Sequence, residues 1–251
     1  MIVYKSAEEI DRMRVAGRIV AGTIDRVLES VRPGATTAFL DSVADEFIVE
    51  RGAIPSFKGY RGFPASLCTS LNDEIVHGIP SERRVLKDGD VLSLDFGAIW
   101  AGFHADAAVT VIVGDPPSSE AEKLVRVTEE SLEAGIAKIR PGGRLSDISH
   151  AIQQVAEGAG FSVVREYVGH GVGRNLHEDP QIANYGPPGR GPELKPGLVI
   201  AIEPMVNIGD WPTRVLADQW TVVTQDGSLS AHFEHTIAVT EDGHEVLTDR
   251  D

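Results

Sequence analysis

The 251-residue chain repeats itself once. VRPG at Val31–Gly34 returns as IRPG at Ile139–Gly142, and LKDGDVLSLD at Leu86–Asp95 returns as LKPGLVIAIE at Leu194–Glu203, both at an offset of 108 residues. Two separated matches at one offset predict an internal duplication into two α+β halves, about 1–118 and 119–251, related by a pseudo-twofold axis. Two units are too few for an open repeat array, which needs about three or more to bury a continuous core. The halves are therefore expected to close on each other and share one sheet within a single domain.

Local signals fit that plan. Ser6 followed by Glu9 reads as a helix-capping box, and Ile10, Met13, Val20, Ile24, Val27 and Leu28 continue at near-helical spacing. Pro33 and Gly34 stop the pattern, and a second helix is predicted over Thr37–Arg51. Cys68–Gly78 carries no decisive pattern. Val91–Asp95 and Ala107–Val113 read as strands around a turn near Trp100–Gly102, and DPPSSE at Asp115–Glu120 leads into another helix.

The duplication has a chemical consequence. It places Asp95 and Glu203 at matching positions, each ending a short apolar strand, so that two carboxylates approach the axis. A turn centred on Trp100–Ala101 would also set Asp95 opposite Asp106, where like charges repel. Glu234, between Phe233 and the apolar run of SLSAHFEHTIAVT, is a fourth acid in a strand context. A solvated strand end is the alternative for each one alone. Together with His170 in glycine-rich VGHGVG, four acids in strand contexts make a different case, because buried charges need a partner or a metal. Four carboxylates and an imidazole suit two divalent ions sharing bridging carboxylates. HExxH, a P-loop, GxGxxG after a strand and GxSxG are all absent.

Charge and cysteine content narrow the partners. With 38 acidic and 23 basic side chains the formal charge is −15, which repels phosphate backbones and anionic lipid; neither nucleic acid nor membrane is expected as a partner. A single cysteine, Cys68, precludes an internal disulfide or a cysteine-built zinc site. The start, MIVYKSAEEIDRM, lacks the apolar run of a signal peptide. A cytoplasmic protein, monomeric for want of any coiled-coil seam, is expected.

YVGHGVGRNLHEDPQIANY at Tyr167–Tyr185 resembles the signature of the type I methionine aminopeptidases along its whole length. SLNDEIVHGIP (Ser70–Pro80), DFGAIWAGFHAD (Asp95–Asp106), AIEPMV (Ala201–Val206) and SLSAHFEHTIAVT (Ser228–Thr240) are similar too, in the same order. The resemblance implies the pseudo-symmetric pita-bread α+β fold, with helices outside a curved, mainly antiparallel sheet shared by both halves of one catalytic domain. It implies hydrolytic removal of the initiator methionine from nascent proteins, with a bridging water on a dinuclear site of Co, Mn, Fe or Zn. The metal ligands fall on Asp95, Asp106, His170, Glu203 and Glu234, with Glu203 doubling as general base. His77 and His177 become the histidines outside the metal shell, and Phe57, Tyr60, Phe63, Cys68, Leu176 and Trp220 the methionine pocket. Phe57 and Leu176 depart from the cysteine and aromatic of the best-known bacterial form. The chain looks like the short bacterial form, with nascent N-termini as substrate and the ribosome as a potential partner. A proline-specific peptidase on the same fold, or a non-catalytic module that kept the fold, are the rival readings.

Overall fold

The computed structural model describes residues 1–250. Ser6 caps α1 (Ala7–Leu28): its hydroxyl accepts from the Glu9 N–H, and the Glu9 carboxylate accepts from the Ser6 N–H. Met13, Ala16, Val20, Ile24 and Val27 form its buried stripe, which gives α1 one apolar face to lay on the sheet. Thr36 caps α2 (Thr37–Glu50) with its hydroxyl alone, which accepts the Phe39 N–H. Next come β1 (Ile54–Pro55), β2 (Leu67–Leu71), β3 (Glu74–Val76) and two long strands, β4 (Val91–Trp100) and β5 (Phe103–Ile112). The segment left unassigned from sequence thus holds two strands of different ladders, β2 and β3, joined by a turn in which Asn72 has φ 59°.

Ser118 caps α3 (Ser119–Ile136), and α4 (Leu145–Gly158) follows. Ten short strands complete the chain: β6 (Ser162–Val163), β7 (Gly169–Gly171), β8 (Glu178–Ile182), β9 (Val199–Ile202), β10 (Met205–Asn207), β11 (Thr213–Val215), β12 (Val222–Thr224), β13 (Ser230–His232), β14 (His235–Val239) and β15 (His244–Val246).

The sequence offset recurs in the backbone bonding. Both ends of α4 stand 108 residues after those of α2. Gly34 N–H donates to Leu86 O at 2.8 Å, and Gly142 N–H donates to Leu194 O at 2.9 Å. The return bonds, Leu86 N–H to Ala35 O and Leu194 N–H to Gly143 O, are both 2.8 Å. Even the isolated bridge Thr36–Val85 has its counterpart in Arg144–Glu193. In each half, the turn between two helices is tied to the segment that leads into a central strand, β4 or β9.

All ladders are antiparallel. They fall into four sets: β1–β4–β2 with β5 on β4, β13–β10–β6, β11–β12–β3, and β15–β14–β9–β7–β8. Pro204, which has no N–H to donate, separates β9 from β10. The halves meet where Ala108 of β5 and Glu234 exchange backbone hydrogen bonds of 3.2 and 2.9 Å. Beside that bridge, the Asp106 N–H donates to Thr236 Oγ1 and the Thr236 hydroxyl donates back to Asp106 O.

The β4–β5 hairpin corrects one expectation. Asp95 pairs with Ala108 and Asp106 with Gly97, so the two acids are diagonal neighbours rather than opposites. The turn lies at Ala101–Gly102, both with positive φ (49° and 80°), and Trp100 and Phe103 close it. Asp95 also sits in the middle of β4 instead of ending it, whereas Glu203 does follow directly on β9.

Candidate metal centre and substrate cavity

Strand pairing brings the acids together. Cys68, Asp95 and Ala108 are register partners across β2, β4 and β5, and Ala108 bridges to Glu234, so one row across the sheet carries two of the carboxylates. Asp106 enters two residues along β5 from Ala108, clamped by Thr236. His170 on β7 pairs with Ala201 of β9, two residues before Glu203. Gly171 lets the strands approach: a Cβ there would lie 2.2 Å from Asp179 O, closer than any side chain tolerates.

Ligand atoms of Asp106, His170 and Glu234 all lie within 4.8 Å of one another. His170 Nε2 is 3.4 Å from Glu203 Oε1 and 3.8 Å from Asp106 Oδ2. Asp106 and Glu234 are buried, while Asp95 and Glu203 open partly into the cavity. Among the described residues no lysine or arginine pairs with any of the four, and Asp95 Oδ1, Asp106 Oδ1 and Glu234 Oε1 are buried without a hydrogen-bond partner.

Desolvation raises the Asp95 carboxyl to about 7. Desolvation, and then repulsion from the neighbouring acids, pushes Asp106, Glu203 and Glu234 well above the carboxylate range. Desolvation lowers His170, which keeps the imidazole neutral and its Nε2 lone pair free while Nδ1 bonds Gly171 O at 2.9 Å. Four acids crowded together with orphaned oxygens are costly without a cation. An oxygen-rich set with one nitrogen suits divalent ions, so the residues fit the metal that the chemistry requires.

The cavity they line measures about 160 Å³. Its wall is made of the thirteen side chains singled out from the sequence together with Arg61. Phe57, Phe63, Cys68 and Leu176 form a buried apolar cluster on which Tyr60 and Trp220 pack, and Phe63 meets Trp220 edge to face at 5.1 Å. His77 holds a left-handed backbone, φ 61°, with its ring edge-on to Tyr167 and Trp220; burial lowers it to about 4. His177 sits at the rim, its ring 4.2 Å from that of His170, and its Nδ1 is 2.9 Å from the Tyr60 hydroxyl. Desolvation first, and then the nearby His170 and Arg61, lower its pKa.

Arg61 was not foreseen. It lines the cavity from a left-handed position, φ 50°, in a one-turn 3₁₀ helix, and nothing in GYRGF distinguishes it from a loop arginine. His232 of β13 turns inward: it is buried opposite Met205, with Nε2 unpartnered.

An acid-rich cation site held where two antiparallel halves meet, in a cavity walled by strands and loops, defines a metallohydrolase of the pita-bread class. Comparison with known proteins narrows the class. Metallopeptidase family M24 matches residues 11–241. Methionine aminopeptidase 1 of Bacillus subtilis is 58% identical over 248 residues, which is 99% of this chain and 99% of that protein. The crystal structure of the methionine aminopeptidase from Thermotoga maritima superposes with a TM-score of 0.98 at 50% identity, covering 100% of both chains. Prolidase from Pyrococcus furiosus, at 21% identity and a TM-score of 0.78, shares the fold; the match covers 99% of this chain and 66% of that one. The chain belongs to metallopeptidase family M24 and, within it, to the methionine aminopeptidases.

Proposed function

We propose that this chain removes the initiator methionine from nascent proteins by hydrolysis, with two divalent ions held by Asp95, Asp106, His170, Glu203 and Glu234. What carries the reading is one cavity with two chemistries side by side: an unpaired carboxylate cluster, and an apolar aromatic wall. When bound, divalent ions supply Lewis acidity, which polarises a carbonyl and lowers the pKa of water to about 7. Oxygen-rich ligation suits Mn, Fe or Co and accommodates Zn.

The remaining roles belong to side chains. Phe57, Phe63, Cys68, Leu176 and Trp220 take the methionine side chain, whose unbranched thioether packs well against aromatic edges. Glu203 accepts the proton of the attacking water. The Tyr60 hydroxyl lies 2.9 Å from His177 Nδ1; in this reading it donates there, so that neutral His177 carries its proton on Nε2, the tautomer that donates to the scissile carbonyl oxygen as negative charge grows there. His77, kept neutral by burial, hydrogen-bonds the peptide nitrogen beside the cut.

The whole chain acts as one catalytic domain, with halves at about 1–118 and 119–251, and as a monomer. Its place in this reading is the cytoplasm, where N-termini leave the ribosome; Cys68, free and buried, suits a reducing compartment. Hydrolysis of Met-Ala-Ser and of Ala-Pro peptides, titrated with several divalent metals, tests the proposal. Cleavage of Met-Ala-Ser that needs metal and is lost in His170→Ala supports it. Cleavage of the proline substrate alone overturns it.

A further inference from the structure

Lys5 and Glu178 form an ion pair that the reaction as described does not use. Their side chains are 2% and 9% exposed, and Lys5 Nζ donates to Glu178 Oε2 at 2.7 Å. Both partners are otherwise satisfied. Lys5 Nζ also donates to Val3 O, and Glu178 Oε1 accepts the Asn175 N–H at 3.1 Å. The lysine is itself fixed, because its backbone N–H donates to Gly197 O at 2.7 Å. The segment preceding α1 is thereby bonded both to the strand region before β9 and to the loop running into β8.

That loop carries Leu176 and His177. The Glu178 carboxylate reaches back across it to the Asn175 N–H, while the Glu178 backbone is joined directly to His177. Gly173 closes the arrangement from below. A Cβ at Gly173 would lie 2.6 Å from both Glu178 Oε1 and Lys5 Cε, so any side chain there would push the ion pair out of its present place. Gly173 is held too: its N–H donates to Asn175 O, and its carbonyl accepts the His104 N–H at 2.8 Å.

A buried ion pair is a poor choice for stability alone, since apolar side chains of similar volume do as well or better. Its directional bonds are what apolar packing lacks. We infer that Lys5 and Glu178 are positioning residues for His177: the pair clamps the Asn175–Glu178 turn so that the imidazole stands between Tyr60 and the scissile carbonyl. Tyr60 sets the tautomer and the ion pair sets the place. The inference rests on the donor role proposed for His177, and a misplacement of about 1 Å at such a donor costs on the order of a hundredfold in rate.

A double-mutant cycle on the Mn-loaded enzyme tests it, with kcat and KM measured on Met-Ala-Ser. Lys5→Met is expected to lower kcat by about tenfold or more, with KM within about twofold and metal content unchanged. Glu178→Gln, nearly isosteric, is expected to do the same and serves if Lys5→Met does not fold. The decisive comparison is in the His177→Ala background. There Lys5→Met and Glu178→Gln should cost almost nothing further, because the group they place is gone. In metal-free protein, the His177 imidazole resonances should shift in Lys5→Met while those of distant His150 stay put. An undiminished kcat in the single variants overturns the inference, as does the same fold-loss in both backgrounds. If His177→Ala alone retains full kcat, the donor role of His177 falls and the inference with it, a result distinct from either of those.

Discussion

His170 Nε2 lies 3.4 Å from Glu203 Oε1, with the imidazole on β7 and the carboxylate just beyond the end of β9. The ring is neutral and its other nitrogen is occupied by Gly171 O, so Nε2 offers a single lone pair toward the acids. Removing it should be felt first in cation binding. His170→Ala is expected to weaken divalent-ion affinity by on the order of a hundredfold, as read by calorimetric titration, and to abolish turnover at limiting metal. Unchanged affinity would remove His170 from the ligand set.

Metal removal makes a second prediction, about pH. In the metal-free protein Asp95 is raised to about 7, and Asp106, Glu203 and Glu234 are raised as well. An unfolded chain releases these protons near pH 4. Between there and about 7 the native state binds more protons, so this contribution to stability is full in acid and lost as pH rises. The EDTA-treated protein should therefore lose melting temperature from pH 5.5 to pH 8 more steeply than EDTA-treated Asp106→Asn, which has one fewer acid to ionise. Buried histidines push the opposite way but are common to both proteins. Added divalent ion should restore the wild-type Tm at pH 8; equal slopes for the two proteins would count against the acid cluster as the cause.

The duplication, the Ser6 cap and the five proposed ligands were legible because each leaves a local mark: a fixed offset, a Ser-x-x-Glu box, an acid in an apolar run or a histidine among glycines. The hairpin register was misplaced by two residues because the turn was centred one residue too early, on Trp100–Ala101. A two-residue turn with positive φ at both positions favours glycine in second place, and Ala101–Gly102 carried that signal. Asp95 lies within a strand that runs on to Trp100, past a glycine where Phe57 packs: a Cβ on Gly97 would meet Phe57 Cε1 at 2.8 Å. Contacts of that kind join residues distant in sequence and leave no periodicity. Arg61 escaped for the same reason, since its place on the cavity wall depends on how the Gly59–Phe63 loop folds over the sheet. The Lys5–Glu178 pair links residues 173 apart, a separation at which sequence spacing says nothing.

The pocket wall yields a prediction about binding rather than chemistry. Trp220 meets Phe63 in a T-shaped contact and also meets His77, at 6.3 Å between ring centroids. Trp220→Ala should raise KM for methionyl peptides by an amount equivalent to about 1–3 kcal/mol of lost contact, with metal content unchanged and kcat reduced much less. Steady-state kinetics on Met-Ala-Ser separates the two parameters. A fall in kcat with KM intact would move Trp220 from pocket wall to the reacting centre.

His77 combines strain with its proposed contact to the peptide nitrogen, and the two can be separated. Its φ of 61° lies in the left-handed region, which costs a non-glycine residue about 1–2 kcal/mol. Both His77→Ala and His77→Gly lose the ring and its edge contacts with Tyr167 and Trp220, but only glycine also relieves the backbone. His77→Gly should therefore be the more stable of the two by about 1 kcal/mol, while both are slowed to a similar kcat. Denaturant unfolding of the two variants, set beside their kinetics, checks this. If alanine matches glycine in stability, position 77 is not strained, and its conformation reflects local turn preference rather than a cost tolerated for the imidazole.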